Sequence, residues 1–546
     1  MKGLERPTHF LSSVSVEPEI VEAHSASRHW AAPLRRAPSK NVPLFLFITG
    51  LTALAVAIHG YHPYAEDGGL YLAGIKKLLH PSLYSFGTGF ATVDLRFSLF
   101  ASIVATIVRI SSLSLTQAIF LIHLGTIWMT LYASWLIADR CYWSREACYG
   151  ATSLLATWLT MPIAGTSLLL MDPYVSARSV STPCAMLAIA AALDVRRSLD
   201  ERRSIPWKSV IPVTASLLVA FACHALMAAY ALGCLLLLAC NCFYDRTKRI
   251  VATLGVCLAS IVVAFCLELQ SSFRPPLYAR AAHTREYWFL ANWHWYELLG
   301  LVAPLLVLAL MTKREQRRRV DNVSLLVSMC IAAGVTGILV AVLFAHLDSH
   351  SFAVARLQPL RIFQIIYVLM IVALGATLGE HVLKRHWLRW ATMFVGLSSI
   401  MLFVQRDTFP ASGHMEFPWS APMNSWEEGF EWIQSNTPED TVFAMDAHYS
   451  LMHGEDAQNF RAIAERSPLP DYEKDGGLAS IAPDLTYEWV DGERAQLGLD
   501  AATDAQRIAM LHGSAAQWIV LSRDAVTQFY CPYTNSAMKV CRLPGN

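Results

Sequence analysis

A succession of apolar stretches, each near the length of one membrane crossing, fills residues 43–405 and confines this chain to a bundle of helices in lipid. A crossing helix needs about 17–25 mostly apolar residues. Such stretches lie near 43–60, 116–138, 146–165, 180–195, 209–223, 226–242, 250–268, 295–312, 322–345, 362–380 and 388–405. Charged residues make up only 16% of the 546, against about 25% in a soluble protein. The expected fold is therefore mainly α, a polytopic bundle of about eleven spans.

Residues 97–115 are also apolar, but Arg109 and several serines interrupt them. Counting them as a span would set two acidic loops on opposite sides and break the charge pattern. They read as a juxtamembrane helix on the outer face. Basic loops stay on the inner side of a membrane. Four of them, within 196–208, 246–249, 313–319 and 384–389, fall on one side together with the polar, basic tail at 1–42. This predicts a multi-pass plasma (inner) membrane protein with a cytoplasmic N-terminus and an extracytoplasmic C-terminus. The apolar core of the first span begins too late for a cleaved signal peptide and reads as an uncleaved anchor. The same parity splits 209–242 into two short helices around His224.

From residue 406 the composition changes to prolines, acids and tryptophans. Helices are expected at 425–436, 457–466 and 505–511, and strands at 441–446, 517–521 and 539–543. Alternating elements predict a small extracytoplasmic α/β domain over 406–546, beyond the membrane part at 43–405.

Ionisable groups beside spans usually mark a site. Glu66 and Asp67 follow the first span in His62-Pro63-Tyr64-Ala65-Glu66-Asp67-Gly68-Gly69. A carboxylate there can take a proton from an incoming hydroxyl; Asp67 also suits the N-terminus of a helix starting at Gly69. Lys76 and Lys77, farther along that helix, are placed for a lipid phosphate or for snorkelling to headgroups. Asp172, before Pro173 in the next outer loop, would orient an acceptor, hold a metal, support the first carboxylate or cap the following helix. Arg178, close behind, is placed to pair with it. Arg356 and Arg361 precede another span, and guanidinium suits phosphate.

The outer loop at 269–294 adds Arg274, Arg280, Arg285 and an aromatic run from Tyr287 to Tyr296, fit for stacking on a sugar or for an interfacial belt. Ten of the twelve cysteines lie between Cys141 and Cys330 and read as small apolar packing residues. Cys531 and Cys541, alone in the polar region, are a disulfide candidate. No zinc-ligand spacing occurs, so no metal ligands are assigned. The net charge of +1 argues against a nucleic-acid partner.

The outer-loop acid Asp67 within Ala65-Glu66-Asp67, the juxtamembrane helices after it and the second outer acid in Met171-Asp172-Pro173 resemble the GT-C integral-membrane glycosyltransferases. That group includes protein O-mannosyltransferases and the aminoarabinose transferases of lipid A. The resemblance covers about 43–405. The segment Trp432-Ile433-Gln434-Ser435-Asn436-Thr437-Pro438 is similar to tails of bacterial membrane proteins of this kind, and the Trp-Trp-Asp motif of oligosaccharyltransferases is absent. The resemblance implies a polyprenyl-phosphate sugar donor, a lipid, glycan or protein acceptor, and inverting transfer on the outer face. Asp67 would activate the acceptor hydroxyl, with Arg356 and Arg361, and Lys77 beside them, holding the departing phosphate. It implies no certain cofactor and leaves a divalent metal open. The rival readings are a transporter, disfavoured because the ionisable residues sit at span ends rather than at the midplane, and a catalytically silent scaffold of glycan assembly.

Overall fold

The computed structural model describes residues 43–544 apart from 201–206, 242, 244, 272–275, 317–320, 350 and 452–458. The basic tail, Arg274 and parts of two basic loops therefore lie outside the described residues. Residues 45–546 form one unit, in which the C-terminal region is fastened to the helical part.

The chain opens with α1 (Leu44–His59), α2 (Asp67–Leu79), α3 (Thr88–Thr92) and α4 (Phe100–Ser111). Long helices follow: α5 (Leu115–Cys141), α6 (Arg145–Thr157), α7 (Ala177–Asp200), α8 (Trp207–Cys223), α9 (Ala225–Cys240) and α10 (Arg246–Gln270). Next come α11 (Pro276–His283), α12 (Trp295–Gln316), α13 (Asp321–Phe344), α14 (Ala353–Leu357), α15 (Phe363–Leu378) and α16 (Trp387–Thr408). Six described segments are long and apolar enough to cross a membrane: Leu115–Cys141, Ala177–Arg196, Arg246–Gln270, Asn322–Phe344, Ala353–Leu383 and Trp387–Thr408. Leu44–His59, Val210–Cys223, Ala225–Cys240 and Trp295–Met311 are apolar but shorter. Thr88–Arg96 and Phe100–Ser111 are bent by 98°. Arg96 is also paired with Asp484 of the C-terminal region at 2.7 Å.

Local chemistry sets the helix ends. Ser114 and Gln117 form a capping box before α5, and Ser144 caps α6. The helix expected over 146–165 stops at Thr157 instead. Beyond it the chain turns through Pro162, with Ala164 and Ser167 at positive φ and a bridge between Pro162 and Leu169. A proline disfavours helix in the residue before it and lacks a donor. The 209–242 stretch does break at His224, which is extended and caps α9.

The bundle is closed by glycine. A side chain on Gly150 of α6 would lie 2.2 Å from the carbonyl of Gly375 on α15, and one on Gly379 would lie 2.0 Å from the carbonyl of Glu146. Without Cβ atoms the two backbones touch, the usual way helices associate in a solvent as apolar as their own side chains. In contrast α10 and α16 bury almost nothing, and their Leu, Val and Phe side chains face outward where lipid would solvate them.

In the C-terminal region α17 (Ser425–Asn436) is capped by Asn424 and ends before Thr437-Pro438. It is followed by α18 (Phe460–Ala464), α19 (Lys474–Ile481), α20 (Thr486–Gln496) and α21 (Asp504–Leu511). Five strands, β1 (Val442–Ala444), β2 (Ser467–Pro468), β3 (Trp518–Ser522), β4 (Tyr533–Thr534) and β5 (Met538–Arg542), make one sheet in the order β2-β1-β3-β5-β4. β1 runs parallel to β2 and β3, while β5 is antiparallel to β3 and β4. Side chains alternate across the sheet. Val520 packs with Phe430, Phe443 and Phe460 on one face, and Ile519 and Leu521 pack with Leu469, Leu499 and Leu511 on the other. A disulfide joins Cys531 to Cys541.

Candidate active site

A cavity of about 1490 Å³ opens where α2, α7, α9, α12 and α15 begin and α16 ends, beneath the start of α19. Glu66, Asp67, Asp172, Arg356 and Arg361 all line it, although they come from separate parts of the chain.

The acidic turn is built with strain. Glu66 has φ 47° and ψ −125°, a conformation that a residue with a Cβ adopts rarely. Asn459 holds it there: its Nδ2 donates to the carbonyls of Tyr64 (3.0 Å) and Glu66 (2.8 Å). α2 can press against Asn459 only because position 69 is glycine; a Cβ there would lie 2.1 Å from that of Asn459. Such strain collects at functional sites when the surroundings enforce it. Lys474, at the start of α19, is buried and donates to the Glu66 carboxylate. Burial works against the lysine's charge, but Glu66 beside it more than compensates and raises its pKa above the ordinary value.

Arg178 is the hub of the two acids. Its Nη1 donates to Asp67 at 3.1 Å and its Nη2 to Asp172 at 2.8 Å. Burial pushes the Asp67 carboxyl up, yet Arg178, with Lys474 and Arg361 nearby, outweighs it and holds Asp67 below the usual carboxylate value. Asp172 is more deeply enclosed. There burial prevails over Arg178, with help from the charge on Asp67, and its pKa is raised.

The cations divide by partner. Arg285 reaches Glu473 at 3.1 Å. Among the described residues the Arg356 guanidinium hydrogen-bonds only to the carbonyl of Ile481, at 3.5 Å. The Arg361 guanidinium has no hydrogen-bond partner among the described residues and lies 6.0 Å from the Tyr287 ring centroid. Among the described residues these two arginines pair with no carboxylate, and they share the cavity with the acids. Tyr287, Trp293 and His294 of the aromatic run also line it, whereas Trp288 and Phe289 are packed in a core with Tyr278 and Phe352. His224 lines the cavity while its Nδ1 accepts from Met227 N–H at 3.3 Å.

Three other candidates are placed elsewhere. Lys76 pairs with Glu465 at 2.7 Å. Lys77 donates to the carbonyls of Pro81 and Leu83, closing the end of α2. Arg280 donates to Glu493 at 2.7 Å and lies over Trp489. Arg274 is outside the described residues. Lys474, Asn459 and Asp94 are cavity or supporting residues that carry no local motif.

A divalent metal does not suit this donor set. Asp67 and Asp172 both turn an oxygen to Arg178, and the described residues hold no group of three or more His, Cys, Asp or Glu arranged to take a metal ion.

No protein-family profile matches the sequence, and no curated protein is detectably similar to it. Among solved structures the chain is similar to the archaeal oligosaccharyltransferase AglB from Archaeoglobus fulgidus in complex with an inhibitory peptide and a dolichol-phosphate. The TM-score is 0.48 at 10% identity, covering 88% of this chain and 69% of that one. It is also similar to the Archaeoglobus fulgidus enzyme tethered to an acceptor peptide, at TM-score 0.48, 11% identity and the same coverage. A zinc and sulfate complex from that organism gives TM-score 0.44 at 12% identity, over 88% and 68%.

Proposed function

We propose that this protein is a membrane glycosyltransferase that moves a sugar from a polyprenyl-phosphate-linked donor to an acceptor hydroxyl at the outer face. One observation carries the reading: two guanidinium groups without carboxylate partners among the described residues, Arg356 and Arg361, share a cavity with the acid pair Asp67 and Asp172. The arginines take the phosphate and stabilise the charge that grows on it as the glycosidic bond breaks. Asp67, kept ionised by Arg178, faces the positive charge that develops at the anomeric carbon and orients the incoming hydroxyl. Its depressed pKa makes it a weak base, so orientation and charge rather than proton uptake are its part. Tyr287 and Trp293 give the sugar apolar faces. Holding both substrates in one enclosed space supplies much of the rate.

The topology that serves this chemistry has eleven crossings, a cytoplasmic N-terminus and an extracytoplasmic domain over 406–546 that covers the cavity. The sugar is a hexose or pentose, and the acceptor a lipid, glycan or protein.

The test uses purified protein in detergent, farnesyl-phosphoryl mannose, galactose, glucose and arabinose as donors, and methanol as acceptor. Release of farnesyl phosphate, followed by mass spectrometry, is expected with at least one of them. It should fall when Arg361 or Asp67 is replaced by an uncharged residue. Wild-type protein that neither binds farnesyl phosphate nor releases it from any of the four donors overturns the reading and favours a silent scaffold.

A further inference from the structure

We propose that Asp94 takes the acceptor's hydroxyl proton, an assignment that rests on the glycosyl transfer proposed above. Asp94 sits on the short turn Val93–Arg96 between α3 and α4, and it lines the same cavity as Asp67 and Asp172. The turn is anchored on both sides. Arg96 pairs with Asp484 at 2.7 Å, and the N–H of Leu99, just past the bend, donates to the Ala222 carbonyl at 2.8 Å beside the cavity.

The other cavity acids are engaged. Glu66 is held by Lys474, Asp67 and Asp172 by Arg178, and Glu473 by Arg285. Glu297 accepts from the N–H of His294 at 2.7 Å, and Glu286 is exposed. Asp94 is half-buried, and its carboxylate has no hydrogen-bond or ion-pair partner among the described residues. From α2, the groups that face it are the carboxylate of Asp67 and the phenol of Tyr71. α3 carries no titratable side chain, and Arg109, the only one on α4, is turned to the Leu78 carbonyl.

Burial, with the Asp67 charge beside it, raises the Asp94 carboxyl to about 7. A general base works best when its pKa lies near the operating pH. Asp67 is displaced below that range and Asp172 is enclosed behind Arg178. Asp94 combines access, freedom from a cation and a suitable basicity.

The step balances. The acceptor O–H bond breaks and its proton goes to the Asp94 carboxylate. The acceptor oxygen bonds to the anomeric carbon as the bond from that carbon to the phosphate oxygen breaks. The electron pair leaves on the phosphate, which Arg356 and Arg361 hold. Two negative charges, on Asp94 and the phosphodiester, become two on the phosphate monoester. Asp94 then returns its proton to solvent.

The experiment measures kcat/KM for farnesyl phosphate release between pH 5.5 and 8.5, with the farnesyl-phosphoryl sugar that wild-type protein uses and methanol as acceptor. Wild-type rates should rise through about pH 7 and level off. Asp94→Asn should lose about 10²–10⁴-fold at the plateau and lose the inflection, while farnesyl phosphate affinity stays within about twofold. Asp94→Glu should restore an inflection. If Asp94→Asn keeps the wild-type rate and profile, or loses farnesyl phosphate binding in step with activity, the assignment fails while the transferase reading stands. If Asp94→Asn does not accumulate as folded protein, Asp94→Ser carries the test, and a wild-type rate and profile in it overturn the assignment. A wild-type protein without release overturns both.

Discussion

Replacing Arg178 by alanine removes the cation shared by Asp67 and Asp172, and its cost can be worked from the geometry. The Arg178 side chain is 4% exposed and that of Asp172 is 6% exposed, whereas Asp67 is 42% exposed. Breaking a buried pair by deleting one partner leaves a charge without compensation and costs about 3–5 kcal/mol. The link to the half-exposed Asp67 adds at most about 1 kcal/mol, because water screens it. Arg178→Ala should therefore lose about 3–5 kcal/mol, read by equilibrium unfolding in mixed micelles. The loss has a pH signature. Asp172 already has a raised pKa, and without the guanidinium it rises further. A raised carboxyl contributes stability at low pH that is lost as pH climbs through its folded value. The variant should thus be more strongly destabilised at pH 8.5 than at pH 5.5. Adding Asp172→Asn removes the stranded charge and should recover at least half of the loss. A single variant that loses under about 1 kcal/mol, or a double variant no more stable than the single, refutes the argument.

Arg361→Gln and Arg356→Gln should each weaken farnesyl phosphate binding by roughly ten- to a hundredfold, as expected for one charge-assisted contact of about 1.5–3 kcal/mol; calorimetry measures it. Burial, with Glu416 and Glu431 nearby, raises the Glu427 carboxyl to about 8 from an ordinary 4.5. Stability should therefore decline as pH rises through that window, and Glu427→Gln should flatten the decline in a series of thermal melts. Gly150→Leu should abolish accumulation of folded protein, judged by gel filtration, while Gly50→Ala, which meets nothing within 4 Å, should not. A cysteine at Val526 should react with an impermeant maleimide on intact cells, and one at Lys208 only after permeabilisation; the reverse pattern inverts the proposed topology.

Legibility in the sequence followed range. The α17 helix could be read locally, from its apolar spacing and from Thr437-Pro438, and the break at His224 from the parity of basic loops, a pattern of charge along the chain that needs no three-dimensional contact. The overrun at 146–165 arose because apolar content does not reveal where a helix must end; Pro162 and the positive φ of Ala164 and Ser167 end it. Lys76 and Lys77 share a helix with Asp67, but nine residues of rise carry Lys76 about 13 Å away, toward Glu465. Asn459, Lys474 and Asp94 were not legible as site residues. Asn459 and Lys474 find their partners some 390 to 410 positions away, and Tyr472-Glu473-Lys474-Asp475 resembles any solvated charged turn. Asp94 shows its role only through the cavity it lines and the partners it lacks.

The fastening of the early acidic turn by Asn459 and Lys474 also bears on how the protein is made. Glu66 and Asp67 leave the ribosome some 390 to 410 positions ahead of Asn459 and Lys474, and their geometry is finished only after position 474 has emerged. A product truncated between 408 and 459 would carry all the long helices and still lack the partners that hold the acidic turn. Quality control that samples only membrane insertion would pass it, so the short stretch from Asn459 to Lys474 decides whether the helices before it have been worth synthesising.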